Sequence, residues 1–245
     1  MTERLDRLLA SQGLMTRREA QERIRRGAVT ADGVPVRRPE TKLDPEAVRL
    51  AVDGEPVRWQ RYVYIMMNKA AGTLCATRDP KIETVVSALP EAYRRRGVFP
   101  AGRLDRDAEG LLLLTDDGDA AHMLLSPARH VEKTYYVRYA GTLDADAEER
   151  FAAGIGIDGG EVCLPAALER LGTGEARVRV CEGRYHQVKR MLAAAGGEVT
   201  YLRRETFGPL TLDAALAPGA WRELERDEVL EIEAIKQKTR AECGK

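Results

Sequence analysis

Cysteine and histidine are scarce in this sequence, with four and three residues in a chain of 245. Cys75, Cys163, Cys181 and Cys243 are widely scattered, no CxxC pair occurs, and the histidines do not group with them. That spacing supports neither a zinc site nor a disulfide framework, and it predicts free thiols in a reducing compartment. Net charge is missing too: 39 lysines and arginines face 39 aspartates and glutamates. The balance argues against a chain coated in nucleic acid, although a local basic patch can hide inside a zero average. No run of 18 apolar residues occurs, and the first residues, "MTERLDRLLA", are charged from Glu3 onward with no apolar signal core. A cytoplasmic protein with no transmembrane helix and no membrane partner is therefore expected. Hydrophobic residues still make up 44% and charged residues 32%, so a packed core is expected and disorder is not.

The first sixty residues have an organisation of their own. "RLDRLLASQG" places Leu5, Leu8 and Leu9 at helical spacing, with Gly13 as a stop. "TRREAQERIRRG" opens with a capping box, Thr16 and Glu19, carries Ala20 and Ile24 as a thin apolar stripe, and ends at Gly27. "AVTADGVPV" reads as two short strands around an Asp-Gly turn, and Asp53-Gly54 repeats the signal. From Thr16 to Lys42 there are eight basic residues against four acidic ones. Arg18 and Arg25 lie seven apart with Arg17 adjacent, so one helix face can present them together. A solvated helix surface is the plain explanation. Arginine in place of lysine favours phosphate contact, because its planar fork grips phosphate oxygens in pairs.

From "WQRYVYIMMNKAAG" onward the pattern changes. "YVYIMMN", "HVEKTYYVRYAG" and "EARVRVCEG" read as strands, and "ADAEERFAAG" and "YHQVKRMLAAAGG" as helices. In the last, Val188, Met191, Leu192 and Ala195 share one face and Gly196 is the stop. Strands and helices do not alternate strictly. The fold class this predicts is α+β: a small N-terminal domain over residues 1–58, then a larger domain over 59–245. A mixed, mostly antiparallel sheet flanked by helices is expected in the larger one.

The stretch "GRLDRDAEGLLLLTDDG", Gly102 to Gly118, crowds acids against an apolar run. "LLLLT" reads as a buried strand and "VFPAGRL" as another extended piece. The turn between them holds Asp105, Arg106, Asp107 and Glu109 at the edge of the core, the kind of scaffolded loop on which active sites sit. By themselves Asp107 and Glu109 are expected to pair with Arg103 and Arg106. Asp116, Asp117 and Asp119 belong to an aspartate-rich turn of ordinary backbone origin. "DDGD" lacks the spacing of a calcium loop.

Two resemblances now become specific. "RLDRLLASQGLMTRREAQERIRRGAVTADG" resembles the S4 RNA-binding module, which implies that the arginine-bearing helix lies against structured RNA, with Arg17, Arg18, Arg25 and Arg26 as contacts. "GRLDRDAEGLLLLTDDG" closely resembles the catalytic motif of RNA pseudouridine synthases. "SPARHVEKTYYV", "GRYHQVKRMLAAAGG" and "LRRETFGPLTLD" follow in the family's order. The pattern is most similar to the RsuA-like branch, which acts on small-subunit ribosomal RNA. Its large-subunit relatives usually carry asparagine and arginine where Tyr185 and His186 stand.

The resemblance implies a reaction: uracil is detached from its ribose at N1, turned, and rejoined through C5. Glycosidic cleavage usually takes two carboxylates. Here the base leaves as a delocalised anion and stays in the pocket, and water must be kept out, so one carboxylate can suffice. Asp105 matches the family's aspartate and is the expected catalytic residue, either attacking C1′ or abstracting a sugar proton. Lys189 matches the basic partner that keeps such a carboxylate ionised. Tyr135 matches the tyrosine that packs on the target base. Its neighbour Tyr136 must face the other side of the strand. Arg103 matches the arginine that helps to hold the flipped nucleotide, whose extrusion costs a few kcal/mol. His186 is expected as an RNA or structural contact. Ala108 stands where the family generally has threonine, which puts the local turn in question.

The expected activity is isomerisation of one uridine in 16S ribosomal RNA, uridine 516 being the family's usual site. No cofactor and no metal are expected. The expected partner is ribosomal RNA within a small-subunit assembly intermediate, and the protein is expected to be a monomer. The rivals are a 23S ribosomal RNA target, a catalytically inactive RNA-binding assembly factor, and a metal-dependent hydrolase built on the aspartate-rich turn.

Overall fold

The computed structural model describes residues 2–243, with side chains described as far as residue 237. The chain forms two compact units, Met1–Val63 with Val86–Val98, and Tyr64–Val85 with Phe99–Lys245. The division expected after residue 58 falls inside the first unit's sequence, and the return of residues 86–98 to that unit has no signal in composition.

In the first unit, α1 (Leu5–Ser11) buries Leu5, Leu8 and Leu9. Gly13, at φ +71°, follows its C-cap. The capping box of α2 (Arg17–Arg25) is formed: the Glu19 N–H donates to the Thr16 hydroxyl at 3.2 Å, and the Thr16 N–H donates to the Glu19 carboxylate at 2.7 Å. Four strands follow: β1 (Val29–Ala31), β2 (Val34–Pro35), β3 (Leu50–Val52) and β4 (Glu55–Pro56), in the order β2-β1-β3-β4. Asp32-Gly33 and Asp53-Gly54 have positive φ throughout, as type I′ hairpin turns require. Ala20, Ile24, Val29, Leu50 and Val52 close one small core with the leucines of α1. A third helix, α3 (Glu91–Arg96), belongs to this unit as well.

The second unit holds a nine-stranded sheet. Its strands are β5 (Tyr64–Lys69), β6 (Phe99–Pro100), β7 (Glu109–Thr115), β8 (Lys133–Gly141), β9 (Ala167–Gly172), β10 (Glu175–Val180), β11 (Gly197–Phe207), β12 (Leu210–Thr211) and β13 (Trp221–Glu223). The order is β9-β10-β8-β11-β7-β5-β13, with β12 paired to β11 and β6 to β7. The helices are α4 (Gly118–Leu125), α5 (Ala147–Ala153), α6 (Gln187–Ala194) and α7 (Arg226–Cys243). β7 and β11 run parallel, and the other pairings are antiparallel. The observed fold is therefore α+β with a mixed, mostly antiparallel sheet.

Both β5 and the leucine run of β7 are buried along their length, as central strands covered on both faces must be. α7 was not anticipated. It is anchored by buried Ile232, by the Lys236–Asp117 ion pair, and by Arg222, whose guanidinium holds both Glu228 oxygens at 2.7 and 2.9 Å. Cys75, Cys163 and Cys181 are free thiols, and the side chain of Cys243 lies outside the described residues.

Candidate active site

The site is built on the turn that leads into β7. The Ala108 N–H donates to the Asp105 carbonyl at 3.1 Å and closes the turn. Behind it stands Lys69, the last residue of β5 and fully buried. Its ammonium donates to the carbonyls of Ala70 at 3.0 Å, Arg106 at 3.1 Å and Ala108 at 2.7 Å. Burial pushes this amine below the usual lysine range, and nearby Cys75, Asp107, Glu109 and Asp105 oppose that shift. Ala108 is 1% exposed. None of the bonds that close the turn needs a side-chain hydroxyl at position 108.

Asp105, with its side chain 24% exposed, lines a cavity of about 80 Å³ that it shares with Arg103, Tyr135 and His186. Tyr135 enters from β8 and is 9% exposed. Tyr136 takes the opposite face, edge-on to Tyr201 at 6.1 Å and beside the Arg203 guanidinium at 5.4 Å. Arg103 is exposed and forms no ion pair or hydrogen bond among the described residues.

Basic groups approach Asp105 from both sides. Lys189 on α6 brings its ammonium within 3.6 Å of one carboxylate oxygen, and the His186 Nε2 lies 3.5 Å from the other. Lys189 is nearer to Asp107, at 2.7 Å from each oxygen. That hydrogen bond, with the ammonium's charge, holds the Asp107 carboxyl below the usual range against partial desolvation. The expected pairing of Asp107 and Glu109 with Arg103 and Arg106 is thus corrected. Asp107 takes Lys189, and Glu109 accepts from the Tyr201 hydroxyl at 2.8 Å. Arg106 turns to the Gly72 carbonyl at 3.1 Å. A charged side chain seeks the nearest partner in space, and α6 and β11 supply partners that lie far along the chain.

The helix expected from Tyr185 begins at Gln187. His186 is left in the left-handed region at φ +50°, a conformation that costs a non-glycine residue about 1–2 kcal/mol. Neighbouring bonds hold it there. The Arg190 N–H donates to the His186 carbonyl at 3.0 Å. The Gln187 side chain accepts from the Arg184 N–H at 3.0 Å and donates to Glu182 at 2.7 Å. Lys69 was not nominated as a site residue from the sequence, and His186, expected as an RNA or structural contact, was not expected to approach Asp105. Lys69 carried one signal, a lysine ending an otherwise apolar strand. His186 carried another, as one of three histidines and set inside a family motif.

The nominated RNA contacts lie in the first unit on and just after α2. Arg17 donates to the fully buried Asp6 at 3.1 Å, where Arg4 and Gln21 also bind, so part of its role is to satisfy that carboxylate. Asp6 is held well below the usual range, first by its hydrogen bond with Arg4. Arg26 lies 3.7 Å from Asp53. Arg18 and Arg25 are exposed and have no ion-pair partner among the described residues.

Among the described residues, no group of three or more histidine, cysteine, aspartate or glutamate side chains is arranged to hold a metal ion. No described helix is long and apolar enough to cross a membrane.

A chain of two such units, with the Asp105 carboxylate on a turn at a strand edge, matches known proteins over most of its length. The family model for RNA pseudouridylate synthase matches residues 63–194, and the S4 domain model matches residues 3–48. An uncharacterized RNA pseudouridine synthase of Bacillus subtilis, YtzG, is 44% identical over 230 residues, covering 92% of this chain and 96% of that protein. The ribosomal small subunit pseudouridine synthase A of Escherichia coli is 42% identical over 231 residues, covering 94% of this chain and 99% of its own. A crystal structure of a pseudouridylate synthase superposes with a TM-score of 0.65 at 36% identity, covering 94% of this chain and 99% of that one. This chain belongs to the RNA pseudouridine synthase family, as a member with an N-terminal S4 domain.

Proposed function

We propose that this enzyme converts a uridine of small-subunit ribosomal RNA to pseudouridine with Asp105 as its catalytic residue, and that uridine 516 of 16S RNA is the nucleotide. The observation that carries this reading is the Asp105 carboxylate itself. It lines a cavity with Tyr135 and Arg103, and the Lys189 ammonium stands 3.6 Å away. The relatives named for the small ribosomal subunit supply the RNA.

The cavity, at about 80 Å³, falls far below the ~300–1,000 Å³ of ordinary ligand pockets. It suits a flipped base inserted from the surface, with ribose and phosphate left at its mouth. Asp105 acts at the sugar, and the N1–C1′ bond breaks with its electron pair leaving on uracil. The freed base turns against the Tyr135 ring. C5 then joins C1′, C5 loses its proton and N1 gains one, so uridine and pseudouridine are isomers and nothing is consumed. Arg103, without an ion-pair partner among the described residues, offers its guanidinium to the phosphate of the flipped nucleotide. The S4 unit grips structured RNA, in our reading that of a small-subunit assembly intermediate, and the protein acts as a monomer.

The test is to map pseudouridine along both ribosomal RNAs in cells with the gene, without it, and with Asp105→Asn. The expected outcome is one small-subunit site that vanishes in the second and third cases. The purified Asp105→Asn protein is expected to lose at least about 10³-fold in turnover while its RNA affinity stays within about twofold, as for an interaction made only in the transition state. Substantial turnover by this variant would refute the assignment, and a site confined to large-subunit RNA would refute the substrate.

A further inference from the structure

On His186, which lines the Asp105 cavity, stacks a large aromatic side chain that the chemistry above does not use. Tyr185 is 74% exposed. Its ring lies on the His186 imidazole with centroids 3.8 Å apart and planes 19° apart. The same imidazole approaches Asp105 to 3.5 Å. Tyr185 thus reaches the reacting carboxylate's surroundings through His186, and most of its surface is open to solvent.

The segment that carries it is held firmly. The Tyr185 carbonyl accepts from Arg190 at 3.4 Å. Arg190 is itself fixed by the Asp158 carboxylate at 2.5 Å and the Asp158 carbonyl at 2.7 Å. Arg184, one residue earlier, holds Glu182 at 3.0 Å and Glu161 at 3.4 Å. An aromatic ring already fixed in place loses little freedom when a ligand stacks on it.

We infer that the exposed face of Tyr185 is a stacking platform for an unpaired RNA base next to the target uridine. The inference rests on the reading that RNA delivers a flipped base to the Asp105 cavity. That cavity holds little more than the base, so the neighbouring nucleotides must lie on the surface around its mouth. There they meet Tyr185 and the exposed Arg103, an aromatic face and a guanidinium. These are the two groups with which proteins hold single-stranded nucleic acid, stacking for the bases and charge for the backbone. Stacking of this kind tolerates any base, so the platform demands an unpaired neighbour and not a particular sequence.

The test uses the full chain and transcribed 16S ribosomal RNA, with Tyr185→Ala and Tyr185→Phe compared with the wild type in Kd, KM and kcat. Loss of the ring is expected to weaken binding and raise KM about tenfold, within the range that one base–aromatic stack supplies, with a much smaller effect on kcat. Tyr185→Phe keeps the ring and is expected to bind within about twofold of the wild type. Unchanged Kd and KM in Tyr185→Ala overturn the inference. So does an equal loss in both variants, which would place the effect in the hydroxyl. A fall in kcat with unchanged KM also overturns it and would make Tyr185 a positioning residue for His186. If the wild type forms no pseudouridine on this RNA or on a small-subunit assembly intermediate, the proposed function fails. The platform is then decided by the same Kd comparison, which needs no turnover.

Discussion

At the scale of single residues, Lys69 decides where Asp105 can stand. A buried ammonium is expensive unless its protons are taken up, and here three main-chain carbonyls take them, two of them from the turn that carries Asp105. Lys69→Met keeps the volume and removes the donors. The expected loss is about 2–4 kcal/mol, since buried acceptors left unpaired cost roughly 1–3 kcal/mol each and relief of the buried charge offsets part of it. Denaturant unfolding measures the first effect. Turnover should fall further than stability alone explains, because the carbonyls of Arg106 and Ala108 fix the turn. A variant with normal kcat would show that the turn holds itself. The contrast with Asp105 and Tyr135 explains what the sequence could tell. Both of those sit in motifs of fixed spacing, so a resemblance carries them to single positions. Two of the three bonds of Lys69 run to residues 37 and 39 positions away, and no local pattern encodes them. Asp107 was misjudged for the same reason, its partner Lys189 arriving on α6 from far along the chain.

At the scale of elements, the parallel contact between β7 and β11 is the joint that sets the site in the sheet. Gly110 lies at φ +99°, and a Cβ built there would fall 2.3 Å from the Arg204 carbonyl oxygen and 2.7 Å from its amide nitrogen. Both are main-chain atoms of a central strand and cannot step aside. Gly110→Ala is therefore expected to cost about 3 kcal/mol, combining left-handed strain with overpacking. Because the turn that carries Asp105 ends one residue earlier, activity should fall with stability. A midpoint of urea unfolding within the error of the wild type would refute this account of the joint. Most elements were legible before the fold was known. The capping box of α2, both Asp-Gly turns and the glycine stop of α6 rest on contacts within a few residues of each other, and the strand of β7 shows in the sequence as an unbroken apolar run. α3 and α7 were not. The six-residue α3 carries no buried apolar stripe of its own. α7 is held largely by Lys236 reaching Asp117 and by Glu228 reaching Arg222, pairings that only the folded chain creates.

At the scale of the whole molecule, the chain leaves the first unit at Val63 and returns to it for Val86–Val98, so the unit is not a single segment that can be cut away. Within it, the Gln12 side chain accepts from the Gln60 N–H at 2.9 Å and from Arg96 at 3.0 Å. Removal of residues 1–58 would break these bonds and mix a folding defect with any loss of RNA binding. Point variants on α2 separate the two. Arg17 and Arg26 have carboxylate partners to satisfy, whereas Arg18 and Arg25 are exposed and unpaired among the described residues, so their loss disturbs nothing inside the unit. The Arg18→Ala/Arg25→Ala double variant is expected to unfold within about 0.5 kcal/mol of the wild type, the usual range for surface positions. Its affinity for small-subunit RNA should fall at low salt. The slope of log affinity against log salt should become shallower by about two, one for each phosphate contact removed. Equal affinity and an equal slope would mean that the arginine face of α2 does not meet RNA. A weakened affinity with an unchanged slope would mean that these two arginines act on RNA without neutralising phosphate.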